Sequence, residues 1–450
     1  MKSTLVQLFR PLDRFIKAES TTGILLFVSA ILAIVWANSS WADSYHHLWE
    51  TPLSISFGEY GINKSLHHWI NDGVMAMFFF VVGLELKREI MAGELSEPRN
   101  ALLPLMAAVG GMVVPAAIYL IFNFGKSGVD GWGIPMATDI AFALGILSLL
   151  GKRVPVSLKV FLTALAIADD LGAVLVIAFF YTSDISFSSL GAGLLFLVIL
   201  WGGNYLGVRN TLFYGLVGIG GVWLAFLMSG VHATIAGVLA AMAIPARTKI
   251  DEIRFVDSLR SLMQRFSNIP PNNVTLLEPE QHEVVHKINR LTLEAVTPLQ
   301  RLEHALHPWV AFIVMPLFAF SNSGITLGGD VLSSGIVDNV GIGIILGLVI
   351  GKFVGIVGMT WLMTRLRLAE LPAELSWSHI CGAGLLAGIG FTMSLFVANL
   401  AFEDPDLIAR AKIGIFAGSI ISGVAGYFYL KAVLKKGAEI DHSSTLGTRK

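Results

Sequence analysis

The sequence predicts an all-α polytopic membrane protein with about twelve transmembrane helices. The chain has 450 residues, of which 54% are hydrophobic and only 14% are charged. Soluble domains carry roughly 25% charged residues, so this chain has too few charges to cover a surface that faces water. Its apolar residues recur from end to end in runs of about 18 to 25, the length that a helix needs to cross a bilayer. Lipid is therefore the expected solvent for most of the chain.

The basic residues predict the orientation of the spans. With both termini in the cytoplasm, all but five of the 31 Lys and Arg residues fall on the cytoplasmic side. The exceptions are Lys64, Lys126, Arg410 and Lys412, which fall outside, and Lys352, which falls within a span. This asymmetry obeys the positive-inside rule. The predicted spans are 20–37, 69–86, 101–122, 134–150, 156–180, 189–206, 211–229, 232–246, 308–323, 337–362, 378–400 and 412–433.

The predicted organisation has five parts. They are a cytoplasmic N-terminal segment (1–19), spans 1–8 (20–246, with an external segment at 38–68), a cytoplasmic helical insert (247–305), spans 9–12 (306–433) and a cytoplasmic tail (434–450). The basic N-terminal segment followed by an apolar run is also the pattern of a signal peptide. We favour the first span, because the run fits a coherent topology.

Two of the polar segments have internal patterns. In the external segment, apolar residues alternate over 53–57, which predicts a short hairpin. In the insert, apolar residues repeat at helical spacing as far as a break at Pro270-Pro271, and a second helical pattern runs over 280–296. We predict a helical hairpin, which is too small to be an independent catalytic domain.

Asp169 and Asp170 form the most informative charged pair. They are adjacent in an otherwise apolar helix, where a charge costs several kcal/mol unless it has a partner, a water-filled cavity or a role. Neighbours on a helix point about 100° apart, so the two cannot share one partner, but their charges couple. The pair is therefore expected to hold a proton, and a small hard cation prefers the same oxygen ligands. Sodium and protons are predicted to compete here; the alternative is that the pair only satisfies Lys352 and nearby backbone.

Lys352, Asp139 and Asp72 are the other deep charges, and the first two carry most of the argument. Lys352 is predicted to be the sole intramembrane cation and to pair with Asp169 or Asp139, with snorkelling to the interface as the alternative. Asp139 lies where a span is interrupted, and a second interrupted segment is 382–394. Such segments indicate inverted repeats whose interrupted helices cross near the midplane. Asp139 is expected to neutralise facing helix N-termini and Lys352 facing C-termini; alternatively, the glycines only allow close packing.

The sequence resembles the NhaA family of bacterial sodium/proton antiporters over nearly its whole length. That family is itself one of those in which inverted repeats with interrupted helices are known. The insert at 247–305 is longer than the connection typical of the best-known members. The matching stretches are Asn71-Asp72, 82–89, 137–145, 168–173, 229–237, 302–309 and 350–352.

The resemblance implies electrogenic, pH-regulated exchange by alternating access, in which several protons move inward for each sodium or lithium ion exported. It implies a bacterial inner-membrane location. Asp170 is then the central ion ligand, Asp169 pairs with Lys352, and Thr138, Asp139 and Lys352 belong to the crossed chains. The implied pH-responsive residues are Glu85, Arg88, Glu89, Glu303, His304 and His307, for which the alternative is an ordinary charged funnel mouth.

Further expectations concern secondary residues and partners. Asp72 and His232 are secondary candidates, and His232 is more simply explained as a packed histidine at a helix end. Na⁺, Li⁺ and H⁺ are the expected substrates, and no resident cofactor, enzyme activity or nucleic-acid partner is expected. If the protein forms a homodimer, the external segment 38–68 is the predicted contact.

Two rival functions remain at the level of the sequence. The first is an ion-coupled symporter or channel of related fold, although no deep arginine is available to anchor an organic substrate. The second is a zinc peptidase, because His282-Glu283-x-x-His286 has the spacing of two zinc ligands and a general base. The usual third ligand and the surrounding scaffold are missing from the sequence, so we favour a solvated helix face.

Overall fold

The computed structural model describes residues 19–57, 60–182, 185–270, 276–326 and 338–447. These residues form a bundle of helices with one small β-hairpin. The predicted cytoplasmic N-terminal segment lies outside the described residues, apart from its last residue.

The helices carry labels in chain order. They are α1 Glu19–Ala37, α2 Ala42–Glu50, α3 Leu66–Ala92, α4 Pro98–Asn123, α5 Ile140–Leu149, α6 Val156–Phe180, α7 Phe187–Tyr205, α8 Thr211–Leu227, α9 Ala233–Ala243, α10 Glu252–Ser267, α11 Pro279–Ala295, α12 Pro298–Asn322, α13 Asn339–Arg365, α14 Trp377–Leu386, α15 Phe391–Ala401 and α16 Pro405–Gly447. A π-helical turn, Gly347–Gly351, lies within α13 and immediately precedes Lys352. Such turns shift the direction of the side chains that follow and are frequent at functional sites.

The predicted all-α polytopic fold is confirmed. Among the described residues, eight helical segments are long and apolar enough to cross a membrane. Two more result if α1 with α2, bent by 113°, and α14 with α15, bent by 47°, each count as one span. Helices α8 and α9 are apolar but shorter. Each of the predicted spans is thus helical wholly or in part, while their number, twelve, stays a prediction.

The polar segments contain the predicted types of element. Strands β1 (Pro52–Phe57) and β2 (Tyr60–Ser65) pair antiparallel, with Ile55 opposite Ile62, so the predicted hairpin is present. In the insert, α10 and α11 pack against each other at the positions of the two predicted helical patterns. Asp251 caps α10, because its side chain accepts a hydrogen bond from the Arg254 N–H at 2.8 Å.

Small residues bring α13 close to α4 and to the first interrupted segment. A Cβ atom added to Gly351 would lie 2.8 Å from Cα of Pro115, and one added to Gly347 would lie 2.6 Å from Cβ of Pro135. Real Cβ atoms do not approach other atoms so closely, so these positions require glycine. This packing holds Lys352, the residue after Gly351, against the centre of the bundle.

The two interrupted segments cross each other, as predicted. The first consists of a 3₁₀ helix (Val129–Met136), an extended stretch at 137–139 and then α5; the second consists of α14, a turn at 387–390 and α15. The Asp139 N–H donates to the Ile389 carbonyl at 2.7 Å, and the Thr138 hydroxyl donates to the Ala387 carbonyl at 2.8 Å. The breaks leave backbone N–H and C=O groups without a partner in their own helix. Groups of the other interrupted segment form hydrogen bonds with them instead.

Candidate functional site

The predicted acid pair lies in the middle of α6 and is buried. Asp169 and Asp170 are each 1% exposed. Neither carboxylate oxygen of Asp170 has a hydrogen-bond partner among the described residues. Burying an ionised carboxylate without a partner is very costly, so this side chain requires a proton or a cation.

Lys352 pairs with Asp169. The lysine is 0% exposed, and its Nζ lies 2.5 Å from Oδ2 of Asp169. Of the two acids left open by the sequence, the structure thus brings Asp169 rather than Asp139 to Lys352. The contact also excludes snorkelling, because the ammonium group lies inside the bundle. One acid of the pair thus has a cationic partner within the protein, whereas the other has none among the described residues.

Asp139 caps two helices at once. Its Oδ1 accepts a hydrogen bond from the Phe142 N–H in the first turn of α5 at 2.9 Å. Its Oδ2 accepts from the Thr392 N–H at 3.1 Å and from the Thr392 hydroxyl, at the start of α15. A helix N-terminus carries roughly half a positive charge, so one carboxylate compensates the ends of both half-helices. This is the arrangement expected for Asp139.

Hydroxyl groups in and beside the second interrupted segment are functional candidates that the sequence reasoning missed. Besides Thr392, Ser394 donates to the Ile134 carbonyl at 2.8 Å, and Ser419 of α16 accepts from the Phe391 N–H at 3.1 Å. The hydroxyls of Thr392 and Ser394 follow directly after the Gly-x-Gly break, where helix-capping side chains are expected. That position was the signal available in the sequence.

Lys87 is a second lysine of a candidate spanning helix that bonds to a neighbouring helix, while the prediction that Lys352 is the sole cation deep in the membrane stays a prediction. Lys87 lies in α3, and its Nζ donates to the carbonyls of Met242 and Ile244 at 2.6 and 2.5 Å. These carbonyls belong to the C-terminal end of α9, where a cation complements the negative end of the helix dipole. The second span is predicted to end at residue 86, and Lys87 therefore falls just outside it.

The residues predicted to respond to pH lie at one end of α3 and α12. Arg88 forms an ion pair with Glu303 and another with Glu89, the latter at 2.9 Å. Arg88, Glu303, His304 and His307 line a cavity of about 640 Å³. Glu85 lies one turn before Glu89 on α3. The structure therefore brings the predicted residues to one mouth of the bundle, with Glu303 nearly buried and both histidines exposed.

A second cavity of about 520 Å³ lies beside α6 at the same end of the bundle and is lined by Glu89, Glu97, Lys159 and Thr163 among others. Thr163 is seven residues before Asp170, two helical turns away on the same face. This cavity thus approaches the acid pair from the side of the chain where the termini are predicted to lie.

Asp72 belongs to a polar cluster near the opposite end of the bundle. Its carboxylate lies 2.8 Å from Nε2 of His68. Nearby, the amide of the fully buried Asn322 donates to Asn71 at 3.1 Å, and its oxygen accepts from Asn399 at 2.6 Å. These contacts join α3, α12 and α15. The sequence reasoning missed Asn322 and Asn399, because neutral polar residues are common in spans.

The two remaining candidates have simple environments. His232 precedes α9, and its Nε2 lies 2.6 Å from the Tyr181 carbonyl, as expected for a packed histidine at a helix end.

His282 and His286 lie on the exposed face of α11 with ring centroids 4.4 Å apart. Glu283 pairs with Lys287 at 2.5 Å, which holds the pKa of Glu283 below its usual value. Among the described residues, no group of three or more His, Cys, Asp or Glu is placed to hold a metal ion.

Fold and site together define a multi-pass membrane protein with a buried acid–lysine centre beside two crossed, interrupted helices, the architecture of secondary transporters. The chain matches the model of the Na+/H+ antiporter 1 family over residues 13–430. The chain belongs to this family of sodium/proton antiporters.

Similar proteins cover nearly the same length. The chain is 51% identical over 430 residues to the Na(+)/H(+) antiporter NhaA of Oleidesulfovibrio alaskensis, covering 95% of both chains. It is 47% identical over 433 residues to the protein of the same name from Acidithiobacillus ferrooxidans, covering 96% of this chain and 99% of the relative. Among solved structures it is similar to the sodium proton antiporter MjNhaP1 from Methanocaldococcus jannaschii, with 11% identity, a TM-score of 0.45 and 92% of each chain covered.

Proposed function

We propose that the protein is an electrogenic, pH-regulated antiporter that exports Na⁺ or Li⁺ from the cytoplasm in exchange for protons. The observation that carries this proposal is the unequal state of the acid pair. Asp169 is neutralised by Lys352, whereas both buried oxygens of Asp170 lack a hydrogen-bond partner among the described residues. Family membership and the names of the relatives support sodium as the cation.

Competition for Asp170 accounts for coupled exchange. A buried carboxylate is tolerated when protonated or when it binds a cation, and a small hard cation prefers oxygen ligands. Either H⁺ or Na⁺ therefore occupies Asp170, and loading one displaces the other. When Na⁺ arrives, Asp169 supplies a second carboxylate and its bond to Lys352 loosens. The exchange is electrogenic because Lys352, once its bond to Asp169 loosens, releases a second proton, so that more than one proton moves for each sodium ion.

Alternating access requires that only one side of the bundle open at a time. The cavity beside Thr163 supplies the approach from the cytoplasm. The contacts that join Asn71, Asn322 and Asn399 close the other end. Export then requires these contacts to break when the cytoplasmic cavity closes.

The remaining features complete the proposal. The protein lies in the bacterial inner membrane with both termini in the cytoplasm, has no enzyme activity and needs no resident cofactor. The cluster of Glu85, Arg88, Glu89, Glu303, His304 and His307 adjusts activity to cytoplasmic pH. The external segment 38–68, which contains the β-hairpin, is the contact of a homodimer. Full exchange in a zinc-free preparation is expected, because His282 and His286 serve no catalytic metal.

The test is proton movement in everted vesicles with Asp170→Asn. Addition of sodium or lithium, but not potassium, should release protons with the unaltered protein at alkaline pH. Asp170→Asn should abolish this release while inserting normally, because the amide can neither bind a proton nor neutralise a cation. Asp404→Asn, which removes an exposed acid between α15 and α16, far from the central site in the sequence and with no role in the proposal, is the matched control and should retain exchange.

The same measurement discriminates between the rival functions. Sodium flux without proton movement would indicate a channel, and proton movement in the same direction as sodium would indicate a symporter. Full exchange by Asp170→Asn would refute the assignment of the site.

A further inference from the structure

A long apolar groove opens on the outside of the bundle between α1, α5 and α16. Its volume is about 590 Å³, within the range typical of small-ligand pockets. Apart from Ser419 and Tyr427, its lining consists of apolar side chains and glycine. Ser419 is already engaged as the acceptor of the Phe391 N–H at 3.1 Å. The groove therefore offers hydrocarbon contacts along nearly its entire length.

Glycines shape the groove. A Cβ added to Gly145 would lie 3.2 Å from Cα of Gly23, so α1 and α5 approach closely along its wall. A Cβ added to Gly423 of α16 would lie 3.1 Å from Ile146. Large side chains at the rim remain exposed, among them Phe27 at 49% and Phe428 at 60%. In a chain that spans a membrane, such a surface faces lipid tails.

The groove is deeper than a lipid-facing surface requires. Its floor includes Ile389, which lies in the break of the second interrupted segment and is 0% exposed, and Phe391, which begins α15 and is 4% exposed. The Ile389 carbonyl is the acceptor of the Asp139 N–H. The inner end of the groove thus touches the crossing itself.

The length of the groove matches one leaflet. Along α16 it extends from Phe416 to Phe428, which corresponds to about 18 Å at the rise of a helix. Half of a hydrocarbon core is about 15 Å. A transmembrane helix of about 10 Å diameter and this length would occupy roughly 1,400 Å³, too much for this groove. An acyl chain, by contrast, is long and thin enough to enter.

A cation lies beyond the outer end of the groove. Lys431, one turn after Tyr427, is exposed, and its Nζ lies 5.6 Å from the centroid of the Tyr427 ring. A lysine at this level attracts anionic lipid headgroups. The apolar groove thus complements an acyl chain, and the positive charge of Lys431 beyond its outer end complements the phosphate of a phospholipid.

We propose that this groove is a binding site for one phospholipid of the leaflet that adjoins the chain termini. One acyl chain lies between α1, α5 and α16 with its end against Phe391, and the phosphate lies at Lys431. The proposal concerns binding and does not depend on the ion that the protein transports.

The test uses the full chain in nanodiscs that contain phosphatidylglycerol with a photoreactive group near the end of one acyl chain. Cross-linked peptides are mapped by mass spectrometry. The floor residues Phe142, Phe391 and Phe416 should be labelled more strongly than the exposed face of α7 around Leu194 and Val198, where only exchanging lipid is expected.

Two substitutions should reduce this labelling. Ile31→Trp fills the groove, and Ile199→Trp on the exposed face of α7 is its matched control. Lys431→Gln should lower labelling of the floor about fivefold, the factor that corresponds to ~1 kcal/mol for one lysine at an anionic surface. Arg365→Gln, which removes another exposed cation, should leave it unchanged.

Labelling of the floor no stronger than that of α7 would overturn the proposal. So would floor labelling that persists at full strength in both groove variants. If Ile31→Trp fails to insert, Lys431→Gln decides alone, because it changes an exposed side chain outside the packed core.

Discussion

Replacing Lys352 by methionine is the sharpest test of the central ion pair. Methionine has a similar length, so little packing is lost. The Nζ of Lys352 lies 2.5 Å from Asp169, and both side chains are 0% exposed. Removal of one partner from such a pair typically costs about 3–5 kcal/mol, because the other charge is left buried and uncompensated. This corresponds to a loss of roughly 150- to 5,000-fold in the unfolding equilibrium.

The assay is unfolding in mixed detergent micelles at acidic and alkaline pH. The loss for Lys352→Met should be smaller at acidic pH, because a protonated carboxylic acid is much cheaper to bury than a carboxylate. The double substitution Asp169→Asn with Lys352→Met should recover most of the stability, since it leaves no unpaired charge.

Lys87→Met is the matched control. It removes another lysine of the spans whose partners are the neutral carbonyls of Met242 and Ile244. Its loss should be roughly 1–3 kcal/mol, below that of Lys352→Met at alkaline pH. A loss below about 1 kcal/mol for Lys352→Met, or one that does not depend on pH, would refute the argument that Asp169 relies on this lysine.

The remaining predictions concern three other contacts. Thr392→Val should lower stability by roughly 1–2 kcal/mol in the same unfolding assay, because the hydroxyl donor to Asp139 is lost; Thr392→Ser should restore it, and a loss in both would point to packing instead. Arg88→Gln should shift the pH profile of exchange, measured in everted vesicles, whereas an unchanged profile would leave the cluster an ordinary charged mouth. Lys287→Ala should raise the pKa of Glu283 toward its usual value, because the ion pair that lowers it is removed. A carbon-detected NMR titration checks this, and an unchanged pKa would contradict it.

The sequence could predict the charged part of the site, because a charge in an apolar segment is rare and costly. Asp139, Asp169 and Lys352 were all identified in this way, and the structure brings the last two into contact. The choice between Asp169 and Asp139 as the partner of Lys352 could not be made from the residues alone, because it depends on how α13 packs against α4 and α6. Only the family resemblance indicated Asp169 as the partner of Lys352.

Neutral polar side chains account for most of the candidate site residues that could not be predicted from the sequence. Thr392, Ser394 and Asn322 make buried hydrogen bonds, but hydroxyl and amide side chains also occur in spans simply to satisfy backbone or to allow helix contact. Their partners are backbone groups exposed by a break, or side chains on another helix. Such partners become visible only when the helices are assembled.

The cap shared by α5 and α15 has a mechanical consequence. Because the single carboxylate of Asp139 serves the first turn of both half-helices, separating them would expose two uncompensated positive ends inside the bundle. The bond between Ser394 and the Ile134 carbonyl fastens the same pair at another point. The two interrupted segments are therefore expected to move as one rigid body. Opening and closing would then occur at the boundary between this body and its neighbours, with the Ser394–Ile134 distance preserved throughout the transport cycle.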